Sequence, residues 1–229
     1  MNHSQIKAIR QGAPIMNRIL FYIKKQLVVG ITEKEVEHKL IAFTKRLGYK
    51  HMAFRPIIAF GTNSYYPHHK PAHKRLENNQ IVLIDFGFKV DGWCTDLTRT
   101  FYFGQPDKKF IKLHQLVLRA QQVAINKLNS SLNGKDIDLA ARRLINRQGF
   151  KKAFRHGTGH GLGKLIHQPP WLSSTRKRNV TINSGDVVTV EPGIYLKGWG
   201  GIRIEDMVLV EKSPTILSKI ITKKSLLAG

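Results

Sequence analysis

Apolar residues recur at helical spacing in two separate stretches, and each stretch leads into sequence of strand character. Ile9, Met16, Ile19, Leu20, Ile23 and Leu27 share one helical face, and Gly30 closes that helix. Thr32-Glu33-Lys34-Glu35 then has the form of a capping box, opening a second helix with Val36, Leu40, Phe43 and Leu47 inward until Gly48 stops it. Downstream, Phe110, Leu113, Leu116, Val117, Ala120, Val123, Ala124 and Leu128 predict a long helix ending before Gly134. Asp136 is placed to cap another, running through Leu139, Leu144 and Ile145 to Gly149. Landmarks in the two halves keep a near-constant offset: 104 residues from Gly30 to Gly134, 101 from Gly48 to Gly149, 106 from Asp85 to Glu191 and 109 from Asp96 to Glu205. The pattern predicts two copies of helix, helix, hairpin, over about 1–104 and 105–212. Folded together as a single α+β domain over 1–229, they would make a curved antiparallel sheet with pseudo-twofold symmetry and helices on its outer face.

Four carboxylates interrupt the apolar runs of the strand-rich segments: Asp85 in VLIDFGF, Asp96 in CTDLTRTF, Glu191 in VTVEPGIY and Glu205 in GIRIEDMVLV. A carboxylate buried in such a run must be paired, protonated or bound to metal, because a bare charge there costs several kcal/mol or more. A hairpin over 81–103 turning at Lys89-Val90-Asp91-Gly92 pairs residues whose numbers sum to 181, which sets Asp85 opposite Asp96. A sum of 396 sets Glu191 opposite Glu205 about a turn centred on Gly198. Like charges facing each other destabilise a hairpin unless something neutralises them. A divalent cation is the simplest neutraliser, with Arg99 and Arg203 the competing source of positive charge.

The stretch HGTGHGLGKLIHQPP adds His156, His160 and His167 among Gly157, Gly159, Gly161 and Gly163. Its glycines are expected to let the backbone approach a substrate or metal cluster, with the histidines supplying a ligand and hydrogen-bond donors. Four carboxylates and one imidazole suit two divalent ions, Mn²⁺, Fe²⁺, Co²⁺ or Zn²⁺, rather than Ca²⁺ or Mg²⁺ alone. Such a pair lowers the pKa of a shared water and polarises a carbonyl, so hydrolysis is the default reaction. No Walker-type loop is present, and GTGHGLG does not match the dinucleotide spacing.

Charge changes the picture less than its size suggests. Lys and Arg number 38 against 15 Asp and Glu, a net charge of +23. That favours association with anions such as RNA, DNA or membrane surfaces. The basic clusters (Lys24-Lys25, 68–75, 147–156, 174–178, Lys223-Lys224) lack the interleaved aromatics of an RNA-recognition motif. We therefore read the charge as a compositional bias, with weak anion or RNA association as its corollary. The one cysteine, Cys94, excludes an internal disulfide and suits a reducing compartment; in the expected pairing it sits opposite Gly87 as a small buried filler. With no apolar core of signal-peptide length at the start and no membrane-length stretch, a cytoplasmic protein is expected.

The ordered motifs IIAFGTNSYYPHH, VLIDFGFKVDGWCTDLTRTF, HGTGHGLGKLIH, VVTVEPGIY and GIRIEDMVLV resemble the catalytic domain of the Xaa-Pro peptidases, aminopeptidase P and prolidase. These are pita-bread-fold metallopeptidases, a superfamily that also holds methionine aminopeptidase, and the resemblance runs from about residue 5 to 212. It implies a pita-bread fold and a two-metal exopeptidase that hydrolyses the bond after an N-terminal residue preceding proline, in peptides or dipeptides. Mn²⁺ is the first expectation for the metal. Asp85 would chelate one ion, His160 and Glu191 the other, and Asp96 and Glu205 would bridge both, holding a hydroxide that attacks the scissile carbonyl. Glu191 would also shuttle a proton. His68, in Tyr66-Pro67-His68, would bind substrate and handle the leaving-group proton. His167 would hydrogen-bond the scissile region, His156 would lie in the proline pocket, and Arg203 would orient Glu205 or the substrate. His69 and His73 match nothing in the family pattern and read as surface histidines.

This sequence departs from the family in three ways. No separate N-terminal domain is expected before the catalytic one, which leaves specificity and a homodimer open. Gln168 follows His167 where the family has an acid, and the +23 charge is unusual. Two other readings compete: a methionine aminopeptidase-like enzyme, and a non-catalytic nucleic-acid-binding protein on the same fold, against which the intact ligand set argues.

Overall fold

The structure, a computed structural model, describes residues 3–128, 133–176 and 181–219. Lys177, Arg178, Lys223 and Lys224 of the basic clusters lie outside these residues. The first predicted helices form as the pattern requires, as α1 (His3–Gln26) and α2 (Glu33–Arg46). Both arms of the capping box are made: Thr32 Oγ1 accepts from Glu35 N at 3.2 Å, and Glu35 Oε2 accepts from Thr32 N at 2.8 Å. Gly30 and Gly48 take left-handed φ values of 90° and 96°, the conformation that ends a helix.

The second pair departs from its expected boundaries. α3 (Lys108–Lys127) is capped by Asp107, and α4 (Gly134–Arg147) by Asn133, whose side chain accepts from Asp136 N at 3.2 Å. Asp136 is thus inside the first turn rather than at the cap. Starting earlier turns Ile137, Ala141 and Ile145 into the buried stripe, while Leu139 and Leu144 are only partly covered. On α3, Val123 is 40% exposed, off the inward face it was assigned.

Between the helix pairs run β1 (Ile57–Phe60), β2 (Gln80–Phe86), β3 (Lys89–Val90), β4 (Trp93–Cys94) and β5 (Leu97–Phe103). After α4 come β6 (Gly159–Gly161), β7 (Gln168–Leu172), β8 (Val187–Val190), β9 (Gly193–Leu196), β10 (Gly200–Arg203), β11 (Asp206–Leu209) and β12 (Thr215–Ile216). β1, β2 and β5 form one antiparallel sheet and β12, β11, β8, β6 and β7 another, while β3–β4 and β9–β10 make two-stranded ladders. Alternation along β1 and β2 decides what each face does. Ile58, Phe60, Val82, Ile84 and Phe86 join the apolar cluster that also contains Ile9, Ile19 and Leu40 of α1 and α2. Ile57, Ala59 and Leu83 form a small separate cluster on the other face, and Asp85, paired with Ile57, shares it. In the second half, Leu113, Val117, Ile137 and Ala141 pack with Val190, Ile194 and Val208.

The first hairpin's register differs from expectation. Val90 pairs Trp93, Lys89 pairs Cys94 and Asp85 pairs Thr98, so partner numbers sum to 183, not 181. The turn is the two-residue Asp91-Gly92, with φ of 49° and 81°. Both central residues at positive φ define a type I′ turn, for which Asp-Gly is a favoured sequence. The slip of two residues keeps Asp85 and Asp96 on one face, because side chains alternate with period two. It also moves Cys94 opposite Lys89 instead of Gly87; the thiol is buried, 3.4 Å from Lys164 O. The second hairpin keeps the expected sum of 396 throughout, from Leu196–Gly200 to Val187–Leu209, with Gly198 at φ 77° in the turn. Among the described residues no helix is long and apolar enough to cross a membrane.

Candidate metal centre

The cleft face of the sheets gathers all five expected ligands around a cavity of about 520 Å³. Asp85 comes from β2, Asp96 from the residue before β5 and His160 from β6. Glu191 and Glu205 come from the breaks between β8 and β9 and between β10 and β11. Ligand atoms of Asp96, His160 and Glu205 all lie within 4.8 Å of one another. His160 Nε2 is 3.7 Å from Asp96 Oδ2 and 3.6 Å from Glu191 Oε1.

Burial raises every one of the four acids. Glu191 is pushed up to about 8 by burial, and Asp85 rises for the same reason in spite of the adjacent Arg203. Asp96 and Glu205 stand well above the usual carboxylate range through burial and the charges of the neighbouring acids. Leaving four ionised carboxylates uncompensated, at several kcal/mol each, would exceed the typical stability of a domain, about 5–15 kcal/mol. The set requires added positive charge or protons.

Several features of the donors fit divalent cations. His160 Nδ1 lies 3.1 Å from Gly161 O, which can only accept, so Nδ1 carries the hydrogen and Nε2 keeps its lone pair toward the carboxylates. Burial lowers this imidazole to about 4, so it stays neutral, the form that binds metal. Among the described residues Asp85 Oδ1 is buried with no hydrogen-bond partner, while Oδ2 accepts from Arg203 Nη2 at 2.6 Å. An unpartnered buried carboxylate oxygen in such company fits a cation ligand. The competing account, in which arginines neutralise the acids, holds in part: Arg203 pairs with Asp85 Oδ2 and lies 3.9 Å from Glu191 Oε2, yet all four acids stay raised in spite of its charge. Arg99 instead pairs with Asp206 at 2.6 Å.

Arg203 also donates to Tyr195 Oη at 2.9 Å and to Thr98 Oγ1 at 3.2 Å. Its direct carboxylate hydrogen bond is to Asp85, whereas Glu205 Oε2 is held by Thr98 Oγ1 at 2.6 Å. His156 closes this chain: Nε2 is 2.7 Å from Tyr195 Oη and Nδ1 is 2.8 Å from Gly157 O. Burial, then the Arg203 charge, lowers it to about 3, so it is neutral with both nitrogens engaged and offers the cleft its ring. His68 and His167 are exposed at the cleft wall, with the His167 ring edge-on to His160 at 4.5 Å. Burial and nearby His68 lower the His167 pKa. Gln168 packs instead against Gly163.

One reading of this region is extended and another changes. Gly157 and Gly159 line the cavity as expected, and Gly159 and Gly161 also press on neighbouring backbone: a Cβ on Gly159 would lie 1.9 Å from Thr189 O, and one on Gly161 2.2 Å from Pro169 O. They let β6 lie close against its neighbours, which sets the depth of His160. His69 is not a free surface histidine; its Nε2 is 2.8 Å from Glu33 Oε2. The buried Glu33 also accepts from Phe60 N, Asn63 Nδ2 and Ala72 N, tying the His68 loop to the start of α2. Asp138, also buried, does the same for the histidine loop, accepting from Thr158 N, Thr158 Oγ1, Ser174 N and Arg142. His73 remains exposed, 3.1 Å from Lys34 Nζ. Thr98, Tyr195, Glu33 and Asp138 escaped the sequence reading. A signal existed for the last two, since they are 105 residues apart, inside the repeat offset.

A curved α+β frame that turns four acids and a neutral imidazole into one cleft defines a metallohydrolase of the pita-bread type. The chain belongs to metallopeptidase family M24, whose model matches residues 7–212. It is similar to the X-Pro aminopeptidase of Thermotoga maritima, at 34% identity and a TM-score of 0.94 over 100% of this chain and 64% of that one. The Xaa-Pro dipeptidase of Bacillus anthracis matches at 34% identity and a TM-score of 0.93, over 99% and 63%. An uncharacterized peptidase of Staphylococcus aureus is 36% identical over 209 residues, 91% of this chain and 59% of that protein. The chain therefore spans about three fifths of the length of each of these relatives. These likenesses favour the Xaa-Pro reading over the methionine and nucleic-acid readings.

Proposed function

We propose that the chain hydrolyses the peptide bond between an N-terminal residue and proline, using two divalent cations held by Asp85, Asp96, His160, Glu191 and Glu205. The observation that carries this is the convergence of those five side chains in one cleft, with Asp85 Oδ1 buried and unpartnered among the described residues. Bound there, the cations supply Lewis acidity and a water of lowered pKa, with Mn²⁺ the first candidate. Asp85 would serve one ion and His160 with Glu191 the other, with Asp96 and Glu205 shared between them. Arg203 fixes Asp85 from behind, and Thr98 fixes Glu205.

Glu191 is suited to carry a proton because its carboxyl faces the cleft beside His160. His68 stands at the exposed edge, where it contacts substrate and serves the departing amine. His167 hydrogen-bonds the substrate beside His160, and the ring of His156 walls the proline pocket. Arg203 lines the cleft, where it orients Asp85 and meets substrate. Within the same proposal the enzyme works in the cytoplasm, as a monomer or homodimer. A weak RNA or anion affinity from the +23 charge would show as steeply salt-dependent binding.

The test is hydrolysis of Ala-Pro, Ala-Pro-Ala and Met-Ala-Ser by chelator-stripped protein with Mn²⁺, Co²⁺ or Zn²⁺ restored. Metal-dependent cleavage before proline is expected, and the dipeptide-to-tripeptide ratio separates prolidase from aminopeptidase action. Cleavage of the methionyl peptide alone, or no cleavage with any metal, would overturn the proposal.

A further inference from the structure

Glu191 and Glu205 interrupt a ladder that is otherwise in one register. β9 and β10 pair as far as Gly193–Arg203, and β8 and β11 resume at Val190–Asp206. Within the gap each glutamate directs its amide hydrogen to another part of the site: Glu191 N to Thr158 O at 2.7 Å, and Glu205 N to Thr98 O at 3.1 Å. The opposite ends of the same two peptide groups are the carbonyls of Val190 and Ile204. One side-chain amide from α3 faces both: Gln121 Nε2 is 3.1 Å from Val190 O and 3.3 Å from Ile204 O, its two hydrogens shared among these carbonyls and Asp206 Oδ2. It is also 3.0 Å from Asp206 Oδ2, which can only accept and so fixes which end of the amide faces the carbonyls. Asp206 is itself held by Arg99 at 2.6 Å and Ser218 at 2.9 Å. Gln121 is buried and takes no part in the cleft lining.

We propose that Gln121 is a positioning residue of the metal centre, setting the separation of Glu191 and Glu205 from the far side of the sheet. Each of the two peptide groups is pinned at both ends, by Gln121 on the carbonyl and by Thr158 or Thr98 on the amide. Val190 stays paired with Asp206 in the ladder, so removing the Gln121 donor acts first on the Ile204–Glu205 peptide group and turns the Glu205 carboxylate relative to Glu191. A side chain that never touches metal or substrate thereby controls how two ligands from opposite strands meet. This inference rests on the two-cation reading above.

The test is Co²⁺ titration of chelator-stripped protein, followed by visible absorption, for the wild-type chain, Gln121→Met and Leu116→Ala. Gln121→Met keeps the volume and removes the donor; Leu116→Ala opens a cavity in the same helix's core. Outer partners of metal ligands typically govern affinity by about 10–100-fold. The expected result is native circular dichroism for Gln121→Met with Co²⁺ affinity lowered by about that factor and an altered absorption envelope. Leu116→Ala should lose thermal stability and keep the wild-type spectrum. Wild-type affinity and spectrum in Gln121→Met would overturn the proposal, as would an equal spectral change in Leu116→Ala. A wild-type chain that binds no Co²⁺ would overturn the two-cation reading instead. If Gln121→Met does not fold, Gln121→Asn, which withdraws the amide by one methylene, carries the same comparison.

Discussion

Thr98→Val removes one hydroxyl from the metal centre and nothing else. Thr98 is fully buried on β5, directly opposite Asp85. Its Oγ1 donates to Glu205 Oε2 at 2.6 Å and accepts from Arg203 Nε at 3.2 Å. Valine preserves the β-branched shape, so the strand and its packing should persist. A hydrogen bond to a charged group contributes about 1.5–3 kcal/mol, or about 10–150-fold in an equilibrium constant. The hydroxyl also works against the burial that raises Glu205, so its loss lifts that carboxyl further. Protons then compete harder with the cation, and the defect grows as pH falls. In Co²⁺ titrations of stripped protein, affinity should drop by about 10–100-fold at pH 8 and by more at pH 6, with kcat/KM on Ala-Pro-Ala falling alongside. Unchanged affinity at both pH values would refute the reasoning.

Glu33→Ala should destabilise the chain by about 3 kcal/mol, because it strands one buried and three part-buried donors, and thermal melts check this; a variant melting like wild type would show that His69 and the His68 loop need no such anchor. Burial raises Glu33, but the bonds from His69, Phe60, Ala72 and Asn63 outweigh it and hold its pKa low, so its stabilisation is present above the usual carboxylate range and fades in acid. His114 is held to about 4 by burial, so the folded state stays neutral while the unfolded chain takes up a proton below 6.5. Stability should therefore fall as pH drops from 6.5 toward 4, by up to about 3 kcal/mol from this residue. In urea melts at pH 7 and 4.5, His114→Asn should flatten that share of the slope; an unaltered slope would count against it. Gly159→Ala should fail to bind metal, since its Cβ collides with Thr189 O, and full Co²⁺ binding would contradict the tight β6–β8 contact.

The parts legible in the sequence were those written in local periodicity or in ladder arithmetic. The stripes of α1 and α2, the Thr32 capping box and the sum of 396 depend on neighbours in sequence or on one turn, and the structure keeps them. The first hairpin shows the limit of that arithmetic: the Asp91-Gly92 turn moved the sum to 183, yet period-two alternation protected the facing of Asp85 and Asp96. The cap of α4 is Asn133, not the more obvious acid three residues later that the sequence pointed to. What stayed hidden was tertiary: Arg203 reaching Asp85 across 118 positions, Gln121 spanning two strands, and His69 turning under Glu33. None of these leaves a periodic trace, since each depends on which polar groups the fold leaves needing partners.

The central claim is that these five side chains hold two cations that power cleavage before proline. Stripped protein should be titrated with Mn²⁺ while initial rates on Ala-Pro-Ala are followed. The account predicts negligible rate without metal, a rise that levels off near two equivalents, and no rise at all for Asp96→Ala. Full activity in the stripped protein, or undiminished activity in Asp96→Ala, would contradict it.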